Sequence, residues 1–172
     1  MAGVGILDPL EPVELVAGQI IRKMSLQKSA HATGVTLTRL LLEERLGKTV
    51  LVRTQLPVTL SDYSEPEPDV AVVAAGPLRY LDRHPIPADI DLIVEIADTT
   101  LKTDCEVKAN DYARSGIQDY WVLALNPRQL YVFRDPTPDG YRSKRILDEN
   151  DPISPLQFPT LTFWVRELLP PI

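Results

Sequence analysis

The chain has 172 residues, of which 44% are hydrophobic and 24% charged, and 18 Lys and Arg against 24 Asp and Glu give a net charge of −6. This size and composition predict one compact domain over residues 1–172, and the acidic charge argues against a broad basic face for nucleic acid. No apolar run approaches the ~20 residues that cross a bilayer, and the start lacks the pattern of a signal peptide, so we expect a cytoplasmic protein.

The few cysteines and histidines restrict the kinds of metal site. A single cysteine, Cys105, excludes an intramolecular disulfide and a cysteine-rich zinc site, and two histidines argue against a histidine-based site. Any metal is therefore expected to be a hard cation bound by oxygen.

The first elements are a hairpin and a helix. The segments 13–16 and 20–24 flank Gly18, a pattern typical of a short β-hairpin. The stretch 29–46 predicts a helix, with Ser29 as its N-cap and Gly47 as its stop.

The apolar stripe of this helix suggests a role for one acid. Leu37, Leu40 and Leu41 share a face, and Glu44 follows them at helical spacing. Glu44 is thus a candidate for an acid that points inward, and a surface glutamate at the helix end is the equally favoured alternative.

The middle of the chain predicts strands separated by loops. The segments 49–53 and 55–59 are β-rich, and the acidic, proline-bearing loop SDYSEPEP leads to a strand at 69–73. Residues 74–91 predict a long irregular connection with room for one helical turn. The nearly continuous apolar run 92–96 indicates a central strand covered on both faces.

Two carboxylates fall in these buried strands. Asp69 opens one apolar run, and Glu95 lies inside the other. Alternation puts Asp69 on one strand face with Ala71, and Glu95 on one face with Ala97. A buried carboxylate costs several kcal/mol unless it is protonated, paired or bound to a cation. Two acids on neighbouring strands therefore suggest a divalent metal site.

The next helix carries a lysine close to these acids. Thr103 or Asp104 is the expected N-cap, and Gly116 is the expected stop. Lys108 lies beside the inner stripe of this helix, so it either extends toward the carboxylates or forms an exposed pair with Asp104. Tyr112, one turn later, either positions Lys108 or packs in the core, and the core reading is favoured.

The remaining sequence predicts a meander of strands at 119–125, 130–134 and 141–147, followed by a last strand or helical turn at 161–169. Three short basic groups interrupt the acidic chain, and we expect them either to be solvated or to contact phosphates. They are Arg22 with Lys23; Arg79, Arg83 and His84; and Arg142, Lys144 and Arg145. His31 and His84 are interpreted as structural or surface residues.

Several of these motifs, in this order, resemble a known family. The segments PEPDVAVV, RHPIPADIDLIVEIADTTL, the Asp104 to Lys108 spacing with YARSG, DYWVL and LYVFRDP are similar to the Uma-two family. That family is assigned to the PD-(D/E)XK restriction-endonuclease-like nuclease superfamily. The resemblance covers nearly the whole chain and implies an α/β fold with a mixed sheet of about five strands flanked by helices, preceded here by the added hairpin.

The resemblance also assigns residues. Pro68 and Asp69 match the PD motif, and Glu95 matches the acid of the (D/E)XK motif. Ala97 departs from the pattern because it stands where the superfamily has its lysine, which the following helix is then expected to supply as Lys108. Glu44 matches, more loosely, an acid that the first helix often contributes.

The resemblance implies a Mg²⁺-dependent endonuclease that acts on DNA, with Mn²⁺ as a substitute. Asp69, Glu95 and the carbonyl of Ile96 would bind the metal, and Lys108 would orient water or stabilise charge. Many nucleases of this fold are dimers, so we expect a homodimer. A non-catalytic binding or assembly module and an enzyme acting on another phosphoester stay open as alternatives.

Overall fold

A computed structural model describes residues 13–22 and 28–172 of the chain. Its centre is one six-stranded sheet with the order β3-β4-β5-β6-β7-β8. The strands of this sheet are β3 (Val50–Thr54), β4 (Val70–Ala74), β5 (Ile90–Ala97), β6 (Asp119–Ala124), β7 (Gln129–Thr137) and β8 (Gly140–Asp148).

Helices and two small sheets surround this centre. A hairpin of β1 (Val13–Val16) and β2 (Gln19–Arg22) precedes helix α1 (Ser29–Leu46). After β5 come α2 (Leu101–Thr103), a π-helical turn (Asp104–Lys108) and α3 (Ala109–Arg114). The end of the chain forms β9 (Pro152–Ile153), β10 (Phe163–Trp164) and α4 (Val165–Leu168). Short 3₁₀ turns lie at Gly47–Thr49, Pro77–Tyr80 and Pro87–Asp89.

The sheet is mixed because one pair of neighbours is parallel. Strands β5 and β6 are parallel, and the other neighbouring pairs are antiparallel. A parallel pair needs a crossover connection, and the helical segment 101–114 supplies it. This crossover places the helix that carries Lys108 directly after the strand that carries Glu95.

The two faces of the sheet are covered by different helices, as the strand alternation predicts. Ala71, Ile93 and Ala97 pack with Ala109 and Tyr112 of α3. Val70, Val72 and Val94 pack with Val35 and Leu42 of α1 on the opposite face. β5 is buried at seven of its eight positions, which confirms that 92–96 belongs to a central strand.

Most predicted elements are found, with three local corrections. Residues 55–59 are not a strand, because Gln55 has a φ of 52° and turns the chain away from the sheet. Ser29 is the first residue of α1, whose N-cap is Lys28. The second helical segment begins at Leu101, so Thr103 and Asp104 lie inside it and do not cap it.

The hairpin is present at 13–22, and positions 23 and 24 of the prediction lie outside the described residues. It docks on the loop that leads to β4, since Glu65 N donates to Leu15 O at 2.9 Å and Gly18 N donates to Tyr63 O at 2.8 Å. In the described part of the chain, no helix is long and apolar enough to span a membrane.

Gly34 sets how closely α1 approaches β5. A Cβ atom at this position would lie 3.0 Å from Ile96 Cγ2 and 3.5 Å from Leu125 Cδ2. We expect Gly34→Val to lower the free energy of unfolding by about 1–3 kcal/mol, because a well-packed core resists added volume. Urea unfolding measures this change, with Thr36→Val on the exposed side of the same helix as the control. Equal effects of the two substitutions would contradict the close packing.

Candidate active site

Asp69 and Glu95 lie next to each other at one end of β4 and β5. Asp69 immediately precedes β4, and its backbone N donates to Glu95 Oε2 at 3.3 Å. The backbone N of Ile96 donates to Asp69 Oδ2 at 2.9 Å. The two acids singled out from the sequence are thus brought together by strand pairing.

Lys108 reaches the same place from the crossover helix. Its Nζ lies 3.1 Å from Glu95 Oε1, 3.1 Å from Glu14 Oε1 and 3.7 Å from Asp104 Oδ1. The side chain is only 11% exposed, so the alternative of an exposed pair with Asp104 is wrong. Lys108 is the last residue of the π-helical turn, which follows β5 closely enough for its side chain to return to that strand.

Tyr112 packs in the core, which was the favoured alternative, and its hydroxyl contacts the glutamate beside Lys108. Its ring is buried in the cluster beneath α3, and its hydroxyl donates to Glu95 Oε1 at 3.1 Å. Glu95 Oε1 therefore accepts from both Lys108 and Tyr112. Tyr112 orients the glutamate that Lys108 contacts, and does not contact the lysine through a hydrogen bond.

Glu14 belongs to the site, although its place there was not predicted from the sequence. This residue is 6% exposed, and besides its ion pair with Lys108 its Oε2 accepts from Glu67 N at 3.0 Å. The hairpin thus adds a third carboxylate next to Lys108, besides those of Glu95 and Asp104. The signal was present, because Glu14 interrupts the apolar run Val13 to Val16 just as Glu95 interrupts its own strand.

His31 and Gln55 are two further contacts of Asp69. His31 Nε2 lies 3.0 Å from Asp69 Oδ2, and Gln55 Nε2 donates to Asp69 Oδ1 at 3.4 Å. The interpretation of His31 as only structural missed this contact. Its spacing to Val35, Thr38 and Leu42, the buried stripe of α1, was the available signal.

Glu44 does not point inward. The buried stripe of α1 contains Val35, Thr38, Leu42 and Leu46, whereas Leu40 is 49% exposed and Glu44 lies on the exposed side. The stripe of leucines chosen from the sequence was rotated away from the true inner face. The prediction of an inward-pointing Glu44 is therefore wrong.

Asp104 is a member of the buried cluster and not a helix cap. It is 2% exposed, accepts a hydrogen bond from Thr100 Oγ1 and lies near Lys108. Burial raises the pKa of its carboxyl, and the charge of Lys108 opposes this rise.

Burial and charge set the protonation of the central groups. Burial raises the pKa of Glu95 well above its usual value, the charge of Lys108 opposes this, and the neighbouring carboxylates reinforce it. Burial lowers the pKa of Lys108, but Glu95, Glu14 and Asp104 together raise it above its usual value. Lys108 is therefore held as a cation among three buried carboxyl groups.

Asp69 behaves differently from Glu95. Burial raises its pKa, but the hydrogen bond and charge of His31, the Ile96 amide and Lys108 outweigh burial and lower it. In return, the hydrogen bond to Asp69 raises the pKa of His31, although burial opposes it. Asp69 thus stays ionised more readily than Glu95 or Asp104.

The His31 contact gives a pH-dependent contribution to stability. The pKa of His31 is raised on folding, so its contribution is full below the unfolded pKa of about 6.5 and is lost as pH rises through the folded pKa. The pKa of Asp69 is lowered, so the same contact is lost in strong acid. We expect His31→Gln to cost about 1–2 kcal/mol near pH 5.5 and less at pH 9, measured by urea unfolding in EDTA. A cost that does not change with pH would contradict a charged pair.

The oxygen atoms not held tightly by protein donors indicate where a cation would bind. Asp69 Oδ2 and Glu95 Oε1 each accept two hydrogen bonds of 3.1 Å or less. Among the described residues, Asp69 Oδ1 and Glu95 Oε2 make only longer contacts, at 3.4 and 3.3 Å. Hard oxygen donors of this kind fit Mg²⁺, which usually binds one or two carboxylates and keeps several waters. No group of three His, Cys, Asp or Glu side chains in the described ranges forms a ready-made metal cage.

Comparisons with known proteins agree with the fold and with the resemblance seen in the sequence. The Uma2 (Uma-two) family model, described as "Putative restriction endonuclease", matches residues 6–167. A crystal structure of "a putative nuclease belonging to DUF820" from Anabaena variabilis is similar, with a TM-score of 0.70 and 16% identity over 91% of this chain and 88% of that chain. No curated protein matches. The expected mixed sheet with flanking helices and an N-terminal hairpin is confirmed.

Proposed function

Because this chain belongs to the Uma2 family of restriction-endonuclease-like nucleases, we propose that it is a Mg²⁺-dependent endonuclease that hydrolyses phosphodiester bonds of DNA. The observation that carries the proposal is the junction of Asp69, Glu95 and Lys108. The buried Glu95 accepts from Lys108 on one oxygen and leaves the other beside Asp69.

Asp69 Oδ1 and Glu95 Oε2 are the atoms that would hold Mg²⁺ or Mn²⁺, with the carbonyl of Ile96 as a third protein donor. A bound divalent cation supplies a nucleophilic water at neutral pH and stabilises negative charge on the phosphate. His31 and the Ile96 amide fix the other oxygen of Asp69, and Tyr112 with Lys108 fixes the other oxygen of Glu95. Each carboxylate is therefore oriented before a cation arrives.

Lys108 acts in this proposal as a fixed positive charge and not as a base. Its neighbouring carboxylates raise its pKa although burial lowers it, so it keeps its proton at neutral pH. In hydrolysis, water forms a bond to phosphorus, one ester P–O bond breaks, and the leaving oxygen gains a proton. The ammonium group of Lys108 stabilises the negative charge that grows on the phosphate in this step.

The missing strand lysine does not count against this role. Ala97 stands where the superfamily pattern has lysine, but the ammonium group of Lys108 lies 3.1 Å from Glu95 Oε1. The helix thus supplies the cation that the strand lacks. A homodimer would bring one centre to each strand of a duplex, and for this reason we include a homodimer in the proposal.

The direct test is cleavage of supercoiled plasmid and branched DNA in Mg²⁺, Mn²⁺ or EDTA. We expect the parent to nick or linearise DNA only with the metals, and Asp69→Asn to reduce the rate at least 100-fold. Asp62→Asn, which removes the same charge from an exposed position, is the matched control and should cleave normally. A folded parent that cleaves nothing under these conditions would contradict catalysis and favour a binding module.

A further inference from the structure

The candidate active site is acidic, and this raises the question of how DNA approaches it. Glu14, Glu95, Asp69 and Asp104 surround Lys108, and the whole chain carries a net charge of −6. Phosphates are repelled by such a surface unless positive charge lies nearby. The strand order and the direction of each strand show where the basic residues of the chain lie relative to this site.

Two of the basic groups in the sequence lie at different places on the sheet. Arg79 and Arg83 lie in the connection between β4 and β5, which joins the ends of these strands opposite Asp69 and Glu95, about 17 Å away along β4. Arg142, Lys144 and Arg145 lie on the edge strand β8, where alternation puts Arg145 on the face opposite to Arg142 and Lys144. The group at 79–83 is the one whose arginines are held together, because both contact Asp89.

Arg53 of the edge strand β3 shares one aromatic ring, that of Tyr80, with Arg83. The guanidinium of Arg53 lies 5.4 Å from the centroid of Tyr80, and that of Arg83 lies 5.6 Å from it. Tyr80 is anchored by its hydroxyl, which donates to Ala74 O at 3.0 Å. We name Arg53, Arg79, Tyr80 and Arg83 the arginine cluster.

Arg53 points to the same face of the sheet as the site. It pairs with Ala71, which packs beneath α3 on the Glu95 face. Ala71 is two residues from Asp69, about 7 Å along β4. The backbone of Arg53 therefore lies between the candidate site and Tyr80, whose hydroxyl contacts Ala74 at the other end of β4. A duplex that lies along β4 would contact both the arginine cluster and the candidate site.

The arginine cluster is held in place and carries more positive than negative charge. Asp89, 5% exposed, lies 2.6 Å from Arg83 and 3.3 Å from Arg79 and holds both in place. Arg53 Nη1 is enclosed and has no hydrogen-bond partner among the described residues. Asp82, the other acid of this connection, is exposed and makes no ion pair with these arginines in the described structure. Two guanidinium groups therefore share one buried carboxylate, and Arg53 adds a third positive charge beside Tyr80.

From this arrangement we infer that the arginine cluster is the docking surface for the phosphate backbone of duplex DNA, which it positions across the candidate active site. The inference rests on the proposed nuclease function for its substrate. Unlike the proposed cleavage, the inferred binding of DNA does not depend on the metal. Contacts to phosphates fix the position of a duplex but carry no sequence information, so binding through this cluster is insensitive to sequence.

The test is duplex binding without cleavage. A fluorescein-labelled 25-base-pair duplex is titrated with protein in EDTA at several KCl concentrations, and fluorescence anisotropy gives Kd. We expect Arg53→Gln with Arg79→Gln to raise Kd at least 10-fold and to lower the slope of log Kd against log salt by about two, because two phosphate contacts are lost. Arg142→Gln with Arg145→Gln removes the same charge from β8 and should leave Kd nearly unchanged.

A second variant tests the same surface without removing any ion pair. Leu78 and Leu81 are 81% and 75% exposed beside Tyr80, so Leu78→Glu with Leu81→Glu adds negative charge at little cost in stability. We expect this variant to raise Kd at least 10-fold as well. Three results would overturn the inference. They are equal effects of the variant at Arg53 and Arg79 and the variant at Arg142 and Arg145, no effect of either cluster variant, and a parent that does not bind duplex DNA.

The two proposals fail in distinguishable ways. Metal-dependent cleavage with binding that ignores the arginine cluster would leave the nuclease standing and remove the docking surface. Cluster-dependent binding by a parent that never cleaves would keep the docking surface and favour the binding module. Selective binding of a protein by this surface, with no affinity for DNA, would overturn the docking inference.

Discussion

Lys108→Met is expected to lower the free energy of unfolding by about 3–5 kcal/mol, because it leaves buried acids without their cation. Lys108 lies 3.1 Å from both Glu14 and Glu95 and 3.7 Å from Asp104, and all three acids are nearly inaccessible to water. Methionine has a similar length, so the loss reflects charge more than volume. Urea unfolding at pH 7 measures it, with Lys102→Met on the exposed side of the same helical segment as the control.

The loss should shrink in acid. The charge of Lys108 opposes the raised pKa values of Glu95 and Asp104, which burial raises, so removing the lysine raises both values further. The folded variant then binds more protons than its unfolded chain, and its stability increases as pH falls toward 5. A loss below about 1 kcal/mol at pH 7 would instead indicate that water already solvates these acids.

Glu95→Gln is expected to abolish Mg²⁺ binding while changing the free energy of unfolding at pH 7 by no more than about 1 kcal/mol. The amide oxygen can still accept from Lys108 and Tyr112, and Lys108 keeps Glu14 and Asp104 as partners. The variant lacks the charged oxygen of Glu95 that would bind the metal. Calorimetric titration with Mg²⁺ and Mn²⁺ measures binding, and Glu106→Gln, an exposed acid two residues before Lys108, is the matched control.

The pH dependence of this variant follows from the buried carboxyl. Burial, opposed by Lys108, raises the pKa of Glu95 in the folded protein. At pH values between the pKa of the unfolded chain and that of the folded protein, Glu95 is protonated in the folded parent and ionised in the unfolded chain. The parent therefore loses stability as pH rises through that window, and glutamine does not. We expect the stability of Glu95→Gln relative to the parent to increase as pH rises above about 4.5, the usual pKa of a glutamate. Retained Mg²⁺ binding would remove Glu95 from the proposed ligand set.

Strand alternation was sufficient to single out the two acids, whereas helix spacing left two alternatives for Lys108, and the family resemblance favoured the inward one. Asp69 and Glu95 each sit in a local pattern that shows their face, and the sheet joins these patterns by pairing neighbouring strands. Glu14 and His31 required more, because their contacts depend on how the hairpin and α1 dock on the sheet. Each of these two residues had a signal in the sequence, because a charge or an imidazole lies on a buried stripe. No local feature indicated which residue it would contact.

Glu44 shows the opposite error. Leucines occur on more than one side of α1, and Leu40 is 49% exposed. The true inner face is defined by contact with β5 and includes Gly34 and Thr38, which a search for apolar residues passes over. Propensity and periodicity describe the helix well, but its rotation is decided by packing.

The hairpin gives the site a particular order of assembly. The contact between Lys108 and Glu95 spans 13 positions, whereas Glu14 reaches Glu67 across 53 positions and Lys108 across a still longer stretch. Closing long loops costs more entropy, so we expect the contacts of Glu14 to form late in folding. Interactions that form after the transition state slow unfolding and leave the folding rate little changed. The contacts of Glu14 are therefore expected to slow unfolding and so to lengthen the lifetime of the assembled site.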